Sequence, residues 1–191
     1  TYATASFFRG VATGPQSLVA AADGANNAAR VARAGSAGLW LGVGAGLLAG
    51  LALAGITAWV LPLAVRDAAI GEPAADYLWV RAFAVPFSLL SFGLLGGLQG
   101  LGDTKTRAWV SAVGNALNIG LDLVLIFGWG PFPRLGATGA AIATLVSSVV
   151  MCGLYAIKHR QLFGRPVRPT REVLRSSLAV GVPAGLTSLL S

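Results

Sequence analysis

Four polar side chains recur at helical spacing inside an apolar stretch of this sequence. They are Ser111, Asn115, Asn118 and Asp122, and Asp122 is the only ionisable side chain between residues 109 and 129. At about 100° per residue, their spacing places them within an arc of about 60° on one helix face. In a membrane, an acid on such a face is costly and marks an ion or substrate path by default. These residues therefore predict an ion-linked or substrate-linked site.

The stretch that carries these residues is long enough to cross the roughly 30 Å hydrocarbon core of a bilayer. The chain is 55% hydrophobic and 11% charged, with a mean hydropathy of +0.72, whereas soluble domains are about 25% charged. Its net charge of +7 would suggest nucleic acid in a soluble protein. Because the basic residues lie mainly between apolar runs, we expect them to set membrane topology, and we expect no nucleic-acid partner.

The apolar runs predict an all-α, polytopic transmembrane helical bundle. The predicted spans are residues 2–22, 39–61, 78–98, 109–129 and 136–157, and a sixth apolar segment begins near residue 174. We predict polar connections at 23–36, 62–77, 100–107, 130–135 and 158–175. Pro86, inside the third span, predicts a kink.

Basic residues are distributed unequally between the two sides of this predicted bundle. Ten lie on one side: Arg30, Arg33, Lys105, Arg107, Lys158, Arg160, Arg165, Arg168, Arg171 and Arg175. The other side has Arg66 and Arg134. The positive-inside rule then makes the Gly102–Thr106 turn and the 158–175 connection cytoplasmic in a multi-pass plasma membrane protein, with Asp122 in the outer half of the membrane.

Several single residues receive a structural interpretation. We expect Arg9 to reach the headgroups from near a helix end, Cys152 to be a small buried side chain, and His159 to be a solvated loop residue. In the 136–157 span, small residues at four-residue spacing predict close helix packing: Gly136, Ala140, Thr144 and Ser148 on one stripe, and Gly139, Ala143 and Ser147 on the next.

The turn before the fourth span has two interpretations. It comprises Gly102, Asp103, Thr104, Lys105 and Thr106. Asp103, Thr104 and Thr106 are all candidate helix N-caps, so the turn can serve helix capping alone. It can also have a role in transport, and the residues leave both open.

Three motifs together resemble the multidrug and toxic compound extrusion (MATE) family, particularly its DinF-like branch. They are Leu-Gln-Gly-x-Gly-Asp-Thr-Lys-Thr at 98–106, Asn-Ile-Gly-Leu-Asp at 118–122 and Gly-Ala-Ala-Ile-Ala-Thr at 139–144. The resemblance covers the family's helices two to six and the start of helix seven. It implies an N-terminal bundle at 1–158, a basic inter-bundle linker at 159–173 and the start of a second bundle at 174–191. Arg107 departs from the family's usual proline, and Leu123 from a proline found in some members.

The resemblance implies export of small organic, often cationic, compounds in exchange for protons or sodium ions, without another cofactor or metal. It implies that Asn118 and Asp122 belong to a cation-linked network with an acid on the first helix, and that Thr144 matches a threonine of that network. Asn115 joins the same predicted cavity from its place on the polar face. Because the chain lacks an initiator methionine and stops inside an apolar segment, we expect a fragment that is inactive without the other half of its polypeptide.

The main alternative is a flippase of lipid-linked oligosaccharides from the same superfamily. Such a cavity typically has several cations, whereas only Arg9 and Arg81 lie within the predicted spans. An enzyme is not expected, since the sequence has no histidine pair, no Cys-x-x-Cys, no Gly-x-Ser-x-Gly and no P-loop.

Overall fold

The protein is a bundle of long helices. A computed structural model describes residues 10–65, 67–129 and 133–190, and these ranges contain helices and no strand. The helices are α1 (Thr13–Gly24), α2 (Ala28–Ala64), α3 (Ala68–Gly100), α4 (Thr104–Phe127), α5 (Gly136–Phe163) and α6 (Arg171–Leu190). The four from α2 to α5 are long and apolar enough to cross a membrane, which confirms the predicted fold class. Arg9 and Arg66 lie outside the described residues.

The helices extend well beyond the apolar runs, so four of the predicted connections are wrong in their bounds: 23–36, 62–77, 100–107 and 158–175. α2 begins at Ala28, where the Asn27 side chain accepts a hydrogen bond from the Arg30 backbone. α3 begins at Ala68 behind an Asp67 cap, and α5 continues to Phe163. Apolarity marks the part of a helix that faces lipid, whereas alanine-rich polar segments such as 28–36 remain good helix formers.

A row of glycines on α2 allows close packing against α3. Gly38, Gly42, Gly46 and Gly50 are all buried. A Cβ on Gly42 would lie 2.9 Å from the Leu90 Cα, and one on Gly46 would lie 2.9 Å from the Pro86 Cα. Only glycine tolerates this approach of two backbones. This glycine row was not among the sequence predictions, although its Gly-x-x-x-Gly repeats indicate helix packing.

Proline shapes both of these helices. Pro86 has no N–H to donate to the Ala82 carbonyl oxygen, so α3 lacks one backbone hydrogen bond there. A Cβ on Gly50 would lie 3.0 Å from this oxygen. Helix α2 therefore covers the position of the missing hydrogen bond. In α2, residues Ile56–Val60 form a π-helical turn, and Leu61 separates this turn from Pro62. Proline and π-helical turns are both recognised sites of irregularity in long helices.

α5 packs against both α3 and α4. Its small residues Gly139, Ala143 and Ser147 are buried, as the packing stripe predicted, and Cys152 is also buried. A Cβ on Gly139 would lie 2.6 Å from the Leu125 carbonyl oxygen, so α4 and α5 nearly touch there. On the α3 side, the hydroxyls of Ser88 and Ser148 lie 3.1 Å apart and form a hydrogen bond.

His159 corrects a sequence prediction. It is 1% exposed rather than a solvated loop residue, since it belongs to α5. Its Nε2 lies 3.1 Å from the Gly35 carbonyl oxygen of α2, and its ring stacks on Phe163 at a centroid distance of 4.5 Å. The apolar pattern gave no sign of this contact because the histidine lies beyond the lipid-facing part of α5.

The segment after α5 is attached to α2. The Val167 N–H donates to the Ser36 hydroxyl at 3.1 Å, and the Trp40 indole N–H donates to the Val167 carbonyl at 3.2 Å. α6 follows from Arg171 and packs against α1 and α2. The proposed linker at 159–173 thus includes the end of α5, a pinned non-helical segment and the start of α6, while the division into bundles stays a prediction.

Candidate functional site

The turn between α3 and α4 is a double helix cap. At the end of α3, the Asp103 N–H donates to the Leu98 carbonyl at 3.1 Å, and Gly102 adopts a φ of +74°. These features define a Schellman motif, which glycine favours because it tolerates positive φ. The Asp103 carboxylate then caps α4 by accepting from the Thr106 N–H at 3.0 Å and from its hydroxyl at 2.6 Å. Asp103 is therefore the cap among the three candidates.

Charge and hydrogen bonding both favour ionised Asp103. The two hydrogen bonds from Thr106 lower the pKa of this carboxyl from its ordinary value, and the nearby Lys158 and Lys105 ammonium groups lower it further. Thr104 and Lys105 occupy the first turn of α4. The capping interpretation of this turn accounts for the observed contacts.

The polar face of α4 is longer than the sequence analysis proposed. Arg107 lies four residues before Ser111 and eight before Asn115, so it falls on the same face. Arg107 and Asn115 are exposed, and Ser111, Asn118 and Asp122 are partly buried. The face thus has a cation near its start and an acid about 22 Å further along the helix.

Asp122 has unused hydrogen-bonding capacity. Its Oδ1 atom is out of contact with solvent and has no hydrogen-bond partner among the described residues. An unpartnered buried carboxylate oxygen is costly, because the group loses its water without gaining another donor. The Oδ1 atom of Asp122 is thus an acceptor without a donor among the described residues.

Thr144 lies near the level of Asp122 on the neighbouring helix. Gly114 lies against Met151 and Gly139 against Leu125, which sets an antiparallel register between α4 and α5. In that register, Thr144 falls within about one helical turn of the level of Asp122. The Thr144 hydroxyl donates a hydrogen bond to the Ala140 carbonyl of its own helix at 2.9 Å. Its oxygen can therefore still accept a hydrogen bond.

A cavity of about 450 Å³ lies between α1, α3, α4 and α5. It is closer to the α3–α4 turn than to Asp122. Its polar lining residues are Gln16, Ser91, Gln99, Arg107, Ser111, Asn115 and Tyr155, and its apolar ones are Ala12, Phe92, Leu95 and Met151. A volume of this size suits a small organic molecule.

Only one of the four residues predicted to share a cavity lines the cavity described above. Asn115 lines it, whereas Asn118, Asp122 and Thr144 do not. Sequence reasoning did not select Gln16, Gln99 or Arg107 as cavity residues. The sequence signal for these three residues was a polar side chain within or beside an apolar run. Whether they line one cavity depends on how their three helices pack. Arg81 is absent from this lining, and the described residues contain no cluster of three or more side chains that could bind a metal.

Comparisons with known proteins find a matching family model and similar proteins over most of this chain. The MatE family model matches residues 1–124. The probable multidrug resistance protein YoeA of Bacillus subtilis is 31% identical over 97% of this chain and 42% of its own length. The probable multidrug resistance protein NorM of Deinococcus radiodurans is 33% identical over 88% of this chain and 38% of its own.

Solved structures agree with the sequence comparisons. A multidrug resistance MATE family transporter of the MOP superfamily, in its inward-facing conformation, superposes with a TM-score of 0.82 at 26% identity, covering 98% of this chain and 43% of that chain. The present chain spans about two fifths of the length of the curated relatives it matches.

Proposed function

The chain belongs to the MatE family, and from that premise we propose that its complete polypeptide exports organic compounds by antiport against protons or sodium ions. We assign the present residues to helices two to seven of a two-bundle transporter of the DinF-like branch. This part would supply the ion-coupling residues of the first bundle and would not transport alone. The turn with Asp103 and the basic segment after α5 would face the cytoplasm.

The buried Oδ1 atom of Asp122 is the observation that carries this proposal. It lies in a helix long and apolar enough to cross the bilayer and has no hydrogen-bond partner among the described residues. Either a proton or a sodium ion would relieve its unpaired state, since the first removes the charge and the second neutralises it. Asn118, one turn earlier, has an amide that can hydrogen-bond the ionised or the protonated carboxyl.

Coupling follows if the loaded and empty states of Asp122 favour different helix arrangements. A ligand shifts a conformational equilibrium only by its differential affinity for the two states. Ion binding at Asp122 would favour one of the two conformations, outward-facing or inward-facing, and substrate binding would favour the other. Thr144 would contribute through its hydroxyl oxygen, because its proton is already donated to Ala140.

The substrate class is less constrained than the coupling site. The resemblance implies organic, often cationic, compounds, and the cavity volume suits molecules of that size. However, the one lining residue with a full charge, Arg107, is itself a cation. A flippase for lipid-linked oligosaccharides would need several such cations, so the single arginine favours export of smaller compounds.

Substitution of Asp122 tests the proposal. In the complete polypeptide, Asp122→Asn should abolish ethidium efflux driven by a proton or sodium gradient while leaving the amount of protein in the membrane unchanged. Asp76→Asn is the matched control, because it removes an exposed acid from α3 and should retain efflux. Running each gradient separately identifies the coupling ion. Undiminished gradient-driven efflux by Asp122→Asn would exclude Asp122 from the mechanism.

A further inference from the structure

The charge of the cavity between α1, α3, α4 and α5 points to the chemistry of its occupant. Among the described residues that line it, Arg107 is the only one with a full charge at neutral pH, and no lining residue is acidic. The guanidinium has no hydrogen bond or ion pair within the described part of the chain. It is therefore a free cation at the wall of a 450 Å³ space.

The neutral polar groups around Arg107 are also unused. Within the described ranges, the side chains of Gln16, Gln99, Ser111 and Asn115 form no hydrogen bond, although all four line the cavity. Ser91 differs from them, since its hydroxyl donates to the Phe87 carbonyl at 2.8 Å. Three amides and a hydroxyl thus remain free to donate hydrogen bonds to a ligand beside the guanidinium.

The opposite part of the lining is apolar. Phe92, Leu95 and Met151 contribute carbon and sulfur surface to the same space. An aromatic or aliphatic body can pack on these side chains while a polar group reaches Arg107 and the amides. Sites for small molecules commonly combine an apolar lining with a few polar groups that orient the ligand.

We propose that this cavity binds an amphipathic organic anion through its carboxylate or phosphate group, with Arg107 as the cation and Gln16, Gln99, Ser111 and Asn115 as hydrogen-bond donors. This inference rests on the proposed transport function and specifies its substrate class. A guanidinium pairs with carboxylate or phosphate through two parallel hydrogen bonds. An organic cation in the same position would be repelled by Arg107 without an acid to compensate. An anionic lipid headgroup presents the same chemistry, so the test separates the two sources.

Binding of two dyes of opposite charge tests the inference. The complete polypeptide is placed in phosphatidylcholine nanodiscs, and binding of carboxyfluorescein, an anion, and ethidium, a cation, is followed by fluorescence polarisation. Arg107→Gln should raise the Kd for carboxyfluorescein about tenfold or more, the factor expected for loss of a charge-assisted hydrogen bond. It should not weaken ethidium binding. Arg107→Lys should retain part of the carboxyfluorescein affinity, because it keeps the charge but not the planar fork.

A control and a lipid arm complete the experiment. Arg160→Gln removes an exposed charge of α5 that does not line the cavity, and it should leave both Kd values unchanged. Nanodiscs that also contain phosphatidylglycerol distinguish the source of the anion. If this lipid raises the Kd for carboxyfluorescein in the wild type but not in Arg107→Gln, the cavity accepts a headgroup. If it affects both proteins alike, the anion is a soluble compound.

Two results would overturn the inference. One is equal carboxyfluorescein affinity in the wild type and Arg107→Gln, and the other is no saturable binding of carboxyfluorescein by the wild type. The efflux assay with Asp122→Asn is independent of both. Gradient-driven efflux of either dye without an effect of Arg107 on anion binding would reject only the substrate class. Carboxyfluorescein binding that depends on Arg107, without gradient-driven efflux of carboxyfluorescein or ethidium, would reject only the transport mechanism.

Discussion

Replacing Gly46 by alanine should weaken the packing of α2 on α3. The added Cβ would lie 2.9 Å from both the Cα and the carbonyl oxygen of Pro86, whereas carbon atoms normally approach to about 3.5–4.0 Å. Both neighbours are backbone atoms, so no side chain can rotate away. The two helices must therefore separate locally, and such overpacking costs about 1–3 kcal/mol.

Gly44→Ala is the matched control on the same helix. Nothing lies within 4 Å of a Cβ at that position, so the substitution adds a methyl group without a clash. Alanine is favoured over glycine in a helix by about 1 kcal/mol, and this gain applies to both variants. The difference in unfolding free energy between Gly44→Ala and Gly46→Ala should therefore be about 1–3 kcal/mol and should report the steric contact alone.

Unfolding by titration with sodium dodecyl sulfate in mixed micelles, followed by circular dichroism, measures both free energies. We expect Gly44→Ala to be at least as stable as the wild type and Gly46→Ala to be clearly less stable than Gly44→Ala. If the two variants agree within about 0.5 kcal/mol, the usual effect of a substitution that touches nothing, then α2 and α3 do not pack through this glycine row.

Two further substitutions test the helix ends. Asp103→Ala should lower the free energy of unfolding by about 0.5–2 kcal/mol through loss of the cap, while Thr104→Ala should change it little. The pKa of Asp103 is lowered on folding. Its contribution to the free energy of unfolding is therefore complete above the ordinary pKa of 3.8 and declines as the pH falls through the lower folded pKa. If the wild type remained more stable than Asp103→Ala by the same amount below that range, the cap assignment would be contradicted. His159→Ala should cost about 2–4 kcal/mol, as other large-to-small changes in a packed interior do, and a change within about 0.5 kcal/mol would instead indicate a solvated side chain.

The sequence predicted the parts of the fold that depend on lipid. Apolar runs predicted five spans and the start of a sixth, and four of these correspond to described helices long and apolar enough to cross a bilayer. The polar face of α4 was visible from the spacing of Ser111 to Asp122. Capping chemistry narrowed the start of α4 to three residues, one of which, Asp103, forms the cap. These features are local, so a single segment contains the information.

The remaining features depend on contacts between segments distant in the chain. The cavity combines Gln16, Gln99 and Arg107 from three helices, and no single segment reveals that they meet. His159 looked solvated because it follows a lysine and precedes an arginine, yet its partner Gly35 lies 124 residues earlier. The spans predicted from hydropathy for α2 to α5 were also shorter than the helices, because hydropathy measures preference for lipid and not helix formation.

The two hydrogen bonds at Val167 act as a short tether. Arg171, the first residue of α6, is only four residues further along the chain, and four extended residues reach about 14 Å at most. Any movement of α6 beyond that radius must either break the hydrogen bonds that join Val167 to Ser36 and Trp40 or move α2 as well. These two hydrogen bonds therefore join α6 to α2 through Val167, in addition to the direct packing of α6 on α1 and α2.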